Sequence, residues 1–213
     1  TYEVKYCVKP DENHFVKSAE ERNAEDTITV EIAKREISFK AADKSAKVGD
    51  DRPSLEAPVL DTDYTVTNIL DKDKNLVVAP MMSYDSQVTD PLEKKGRFAI
   101  NISDGSVSGN NYKITGYVPG VIVVASSEVK VNKVPSPVKG LIYNASPQTL
   151  VEDGEVNGGW IEYSTDGGQT WSKDLPKKTD AGTYEVKYCI KSDENHFVKS
   201  AEERNAEDTI TVE

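Results

Sequence analysis

The chain has 213 residues, 37% of them apolar and 30% charged, with a formal net charge of −11 and a pI near 4.8. That length admits one or two domains, and the polarity suits small domains of high surface-to-volume ratio better than one large core. The acidity argues against nucleic acid as a partner, because a phosphate backbone needs a basic face, and no apolar run approaches the ~20 residues of a membrane span.

The first strand signal is Tyr2, Val4, Tyr6 and Val8, alternating with Glu3, Lys5, Cys7 and Lys9. That is the period of a half-buried strand. Residues 10–26 are polar and read as a loop with at most one helical turn in Ser18–Asp26, which has no apolar face. Alternation resumes at Thr27–Ile32. From Ala33 to Ala125 the predicted strands are Glu36–Phe39, Tyr64–Ile69, Leu76–Val78, Arg97–Ile102, Tyr112–Tyr117 and Gly120–Val124. Turn residues separate them, among them Gly49-Asp50-Asp51, Asp104-Gly105 and Gly109-Asn110-Asn111. Ser126–Pro137 reads as a linker. Beyond it, Leu141–Tyr143 and Thr149–Val151 read as short strands. Trp160–Ser164 and Thr170–Ser172 read as a hairpin about Asp166-Gly167-Gly168, where glycine supplies positive φ. Tyr184–Lys191 and Thr209–Val212 close the chain. Helical periodicity beyond two turns is absent, so the expected class is all-β or mostly β, built as tandem small β-domains.

Residues 1–31 return as residues 183–213. Only Val8/Ile190 and Pro10/Ser192 differ, so 29 of 31 positions match at an offset of 182. Repeated units that fold against local contacts tolerate such copying, and enzymes seldom carry it. The segment Val138–Ala181 has no counterpart ahead of Thr1. The expected organisation is the C-terminal half of a repeat at 1–32, a β-domain at 33–125, a linker at 126–137 and a complete repeat domain at 138–213, within a longer array. Cys7 and Cys189 fall at equivalent places, one per copy. No disulfide framework follows, and no bond between the two is expected.

Two stretches resemble repeats of Gram-positive bacterial surface proteins. Gly140–Tyr143, Asn144-Ala145-Ser146-Pro147-Gln148, the Gly-Gly turn and Thr179-Asp180-Ala181-Gly182-Thr183-Tyr184 are similar to a repeat with a YNGxxQ opening, a DGG hairpin and an AGTYxVxY strand; the glycine of the opening is absent here. Ala33–Ala125 resembles the companion MBG-type, β-grasp-like repeat through Lys47-Val48-Gly49-Asp50, Pro53-Ser54-Leu55, Gly96-Arg97-Phe98, Asn111-Tyr112-Lys113-Ile114 and Gly120-Val121-Ile122-Val123. The resemblance implies an extracellular, multi-domain, adhesin-like protein of the bacterial cell surface with no catalytic residues; no cofactor is expected. A β-grasp-like fold and an Ig-like sandwich both remain open.

Ser164-Thr165-Asp166-Gly167-Gly168-Gln169-Thr170-Trp171 fits the Asp-box S-x-D-x-G-x-T-W of sialidase propellers. The chemistry of that motif is structural: the aspartate caps turn amides and the tryptophan packs beneath. A sialidase needs several boxes and an arginine cluster for the substrate carboxylate. Here there is one box, and the arginines are Arg22, Arg35, Arg52, Arg97 and Arg204. Trp160, Tyr163 and Trp171 form either the core of a small β-domain or a sugar-stacking platform. Asp71-Lys72-Asp73-Lys74-Asn75 opens like a calcium loop but lacks the following glycine and the twelfth-position glutamate, which leaves a solvated turn. His14 and His196, each in Asp-Glu-Asn-His-Phe, have no nucleophile at a recognisable spacing. No metal site is expected.

The expected function is a structural and interaction module, a stalk or adhesin repeat that is not an enzyme. The alternative is a carbohydrate- or host-ligand-binding module on the Trp160/Trp171 hairpin. The partners expected are an unidentified host protein or glycan, and a second copy of the chain by strand exchange of residues 1–32. Packing of that segment on the neighbouring 33–125 unit is the other expectation.

Overall fold

The computed structural model describes residues 2–6, 12–13, 26–199 and 208–212. Cys7, His14 and residues 14–25 of the expected loop lie outside the described residues. About 49% of the chain is strand, and the one helix among the described residues is a 3-10 turn at Asp71–Leu76. The fold is almost entirely β, as the alternating pattern predicts.

Buried side chains form two clusters. The first belongs to the 33–125 unit. Arg35–Ala41 continues past Ala42-Asp43 into Lys44–Lys47, and Tyr112–Val118 continues past Pro119 into Gly120–Ala125. The two bent strands run parallel, Ile114 beside Ile37 and Val124 beside Ala46. Each passes from a three-stranded sheet, completed by Tyr64–Thr67, into a four-stranded sheet completed by Gly96–Ser103 and Met81–Tyr84. At the bend a Cβ on Gly120 would sit 2.7 Å from the Ala42 carbonyl oxygen, so only glycine allows the approach. Ile37, Phe39, Tyr64 and Val66 from one sheet meet Ile100, Ile102, Ile122 and Val124 from the other. Two sheets sharing one core is the arrangement of this unit, with no α-helix laid across either sheet among the described residues.

The second cluster belongs to the C-terminal unit. Gly159–Ser164, Tyr184–Ser192 and Asp208–Val212 make a three-stranded antiparallel sheet. Ile161, Tyr163, Val186, Tyr188, Ile210 and Val212 from it close on Leu150 and Val151.

Several expectations are corrected. Leu141–Tyr143 is not a strand. Gly140 and Ala145 both adopt positive φ, at 74° and 60°, and bracket the segment with turns, so Ile142 and Tyr143 remain exposed despite the apolar run. Leu76 belongs to the 3-10 turn rather than to the strand Val77–Val78. Thr170–Ser172 contributes a single bridge, Tyr163 to Ser172, instead of a full hairpin arm. Ser126–Pro137 is not free chain. Ser127–Glu128 lies parallel to His196–Phe197, Lys130–Lys133 antiparallel to Glu155–Asn157, and Ser136–Pro137 antiparallel to Val151–Glu152. The stretch is laced along the C-terminal unit because its backbone groups find ladder partners there.

Tyr2–Tyr6 and Asp26–Val30 pair antiparallel, with Tyr2 opposite Val30 and Val4 opposite Ile28. Tyr2, Val4, Val30 and Ile32 stay exposed, so the 33–125 unit does not cover this row.

Candidate functional site

The Asp-box turn is a closed hydrogen-bond unit. Asp166 Oδ1 accepts from the Gln169 and Thr170 amides, both at 2.9 Å, and from Ser164 Oγ at 2.7 Å. Asp166 Oδ2 accepts from Thr170 Oγ1 at 2.5 Å. Ser164, 3% exposed, accepts in turn from the Gly168 amide at 2.9 Å. Gly167 and Gly168 take φ of 77° and 93°, a region L side chains avoid. The Thr170 hydroxyl first, then the Thr170 amide and Ser164, hold the Asp166 carboxyl far below the usual carboxylate range. Both carboxylate oxygens are engaged within the turn, and Trp171 Nε1 donates to the Gly168 carbonyl at 3.0 Å. The arrangement stabilises a turn.

The two indoles are separated by this geometry. Tyr163 is 3% exposed and belongs to the core. Its hydroxyl donates to Asp153 Oδ1 at 2.6 Å, and burial first, then this bond, raises its pKa well above the ordinary phenol value. Trp160 and Trp171 are half-buried and line different depressions, Trp160 with Asp153, Val156 and Lys173, Trp171 with Thr170, Leu175 and Pro176. Lys173 Nζ lies 3.9 Å from the Trp160 ring centroid, a cation–π contact that occupies one ring face. The indole Nε1 of Trp160 donates to Glu162 Oε1 at 2.9 Å. No shared stacking platform joins the two indoles.

The acidic turn at Asp71–Leu76 binds its own cation. Lys74 Nζ sits 2.9 Å from Asp61 Oδ2 and 3.4 Å from Asp71 Oδ1, and Asp73 Oδ2 accepts the Tyr112 hydroxyl at 2.7 Å. Among the described residues, no group of three or more His, Cys, Asp or Glu side chains is placed to hold a metal ion. Cys189 stands opposite Glu162 on the face away from the core, as the alternation predicts, yet is 3% exposed. It is a buried small side chain rather than a solvent-facing thiol.

Sequence reasoning assigned no role to the Asp-Glu-Asn-His-Phe motif, and the structure places its second copy at a junction. Asp193 Oδ1 receives the Asn195 amide at 2.8 Å and lies 2.7 Å from His196 Nδ1. Burial pushes the Asp193 carboxyl up, but the bonds from His196 and the Asn195 amide outweigh it and hold it below the usual range. Gly158, at φ 86°, lies so close that an added Cβ would stand 2.4 Å from the His196 ring. From this fixed loop, the Asn195 and Phe197 carbonyls accept the Ser127 and Val129 amides, at 3.4 and 3.0 Å. Asn195 Oδ1 accepts the Lys95 amide at 3.1 Å. The motif thus ties the C-terminal unit to chain on both sides of Ala125. Its verbatim recurrence at Asp11–Phe15 was the one sequence signal for such a role.

Comparison with known proteins yields no matching family model and no similar curated protein.

Proposed function

We propose that the chain is a structural and interaction module of a bacterial cell-surface protein, a tandem stalk or adhesin repeat that spaces other regions from the cell. The observation that carries this reading is the copied hairpin. Residues 2–6 with 26–30, and residues 184–188 with 208–212, pair in the same register 182 positions apart. The junction at Asn195 and His196 supports it, because hydrogen bonds across it limit rotation between successive units. The Asp-box supports it too, since its aspartate is consumed in holding a turn. The surface location rests on the resemblance to Gram-positive surface repeats. The glycan-binding alternative draws no support from the Trp160 and Trp171 geometry, where Lys173 covers a ring face and the two indoles lie in separate depressions.

Small-angle X-ray scattering of the chain, together with protease shaving of intact source cells, tests this reading. An elongated particle, and release of the repeat by protease from unlysed cells, are expected. A compact sphere overturns the spacer role, and protection until lysis overturns the surface location.

A further inference from the structure

The two copied hairpins share sequence and register but not environment. Val186 is 0% exposed and Val212 2%, whereas their counterparts Val4 and Val30 are 51% and 45% exposed. Tyr184 is half-buried and Tyr2 is 63% exposed. The difference lies in what covers the second hairpin. Leu150, Val151, Ile161 and Tyr163 share one buried cluster with Val186 and Val212. Gly159–Ser164 pairs along Lys187–Ser192. Leu141, Gln148 and Gly182 enclose the end formed by Tyr184 and Val212. Every one of these covering residues falls between 138 and 182.

We infer that the face carried by Tyr2, Val4 and Val30 is a docking surface for a second segment of the 138–182 sequence, which would complete the pair Tyr2–Tyr6 and Asp26–Val30 as residues 138–182 complete Tyr184–Tyr188 and Asp208–Val212. The second hairpin shows the occupant in place. With sequence identical at Tyr2–Tyr6 and Tyr184–Tyr188, and again at Asp26–Val30 and Asp208–Val212, a segment that fits one hairpin fits the other. A lone two-stranded hairpin with an apolar row is marginal in water, and the segment supplies the third strand and the core side chains that it lacks. A second whole copy of the chain is a weaker occupant, because its 138–182 segment is already closed by its own Val186, Tyr188, Ile210 and Val212. This inference deepens the tandem-module reading and rests on it.

Hydrogen exchange read by mass spectrometry tests it. The peptide Tyr2–Tyr6 is identical to Tyr184–Tyr188, so both have the same intrinsic exchange rates and appear at one mass. In the chain as it stands, this peptide is expected to show two populations of equal size, one exchanging about tenfold or more faster than the other. In a chain extended by fusing a second copy of residues 138–182 ahead of Thr1, the two are expected to merge into a single slow population. Val4→Asp in the extended chain moves its peptide to a mass of its own, where it should exchange at the fast rate while Tyr184–Tyr188 stays slow. Two populations persisting in the extended chain overturn the inference, since the slow population proves that the 184–212 hairpin is folded in the same molecules. A single slow population in the unextended chain, accompanied by a dimer in light scattering, overturns it in favour of a second copy. The exchange pattern reads docking alone, and so it fails or succeeds separately from the scattering and shaving results.

Discussion

Val4 and Val186 occupy equivalent rungs of the two copied ladders, opposite Ile28 and Ile210, yet Val186 is fully buried and Val4 is half exposed. Identical neighbours in sequence therefore have different energetic weight. Val186→Ala is expected to destabilise the C-terminal unit by about 2 kcal/mol, from two lost methyl groups and the cavity they leave. Val4→Ala is expected to stay within about 0.5 kcal/mol. Urea titration followed by tryptophan emission measures the first directly, since Trp160 and Trp171 both lie in that unit. Equal effects of the two substitutions would refute the difference in environment.

Asp166 is expected to make the C-terminal unit acid-sensitive. Its folded-state pKa is depressed by the Thr170 and Ser164 hydrogen bonds. Its contribution is therefore complete above the ordinary carboxylate value of about 4 and fades as pH falls toward the depressed folded value. Asp166→Asn should flatten the loss of stability between about pH 5 and pH 2, and Asp166→Ala should lower Tm at neutral pH by about 4–8 °C, the scale of one hydrogen bond in a small domain. Thermal melts across that pH range check both, and a slope unchanged by Asp166→Asn contradicts the assignment.

Gly158 is the weak point of the junction. Its positive φ alone makes Gly158→Ala cost about 1–2 kcal/mol. The new methyl also drives the His196 ring from its place beside Asp193. A lower melting temperature and a shifted His196 ring resonance are expected together. Destabilisation with an unmoved ring would show that the backbone term acts alone.

Titration with mono- and disaccharides is expected to leave tryptophan emission unchanged, because Lys173 covers a Trp160 face and Trp171 is bonded into its own turn. A saturable change in emission, removed by Trp160→Ala, would restore the glycan-binding reading.

The strands legible in the sequence were those whose two faces differ. Arg35–Ala41, Gly96–Ser103 and Gly120–Ala125 alternate because one face meets the core. Lys44–Lys47 and Met81–Tyr84 went unread. Both are short edge strands whose pairing is set by the parallel bend at Gly120 and by the Gly96–Ser103 strand rather than by their own patterns. Leu141–Tyr143 misled in the opposite sense, as an apolar run that the turns at Gly140 and Ala145 keep out of any ladder. Of the candidate site, the Asp-box turn was legible because its partners lie within four positions. The burial of Tyr163 and the separation of Trp160 from Trp171 were not.

By itself the sequence determined the all-β class, the copied hairpin and the Asp166 turn, because each depends on residues a few positions apart or on direct repetition. Tertiary structure alone decided that Val186 is buried and Val4 is not, that residues 127–137 lace along the C-terminal unit, and that Asn195 meets Lys95. These outcomes depend on which distant segment reaches a given edge or face, and a chain's local pattern carries no information about a partner up to 100 positions away.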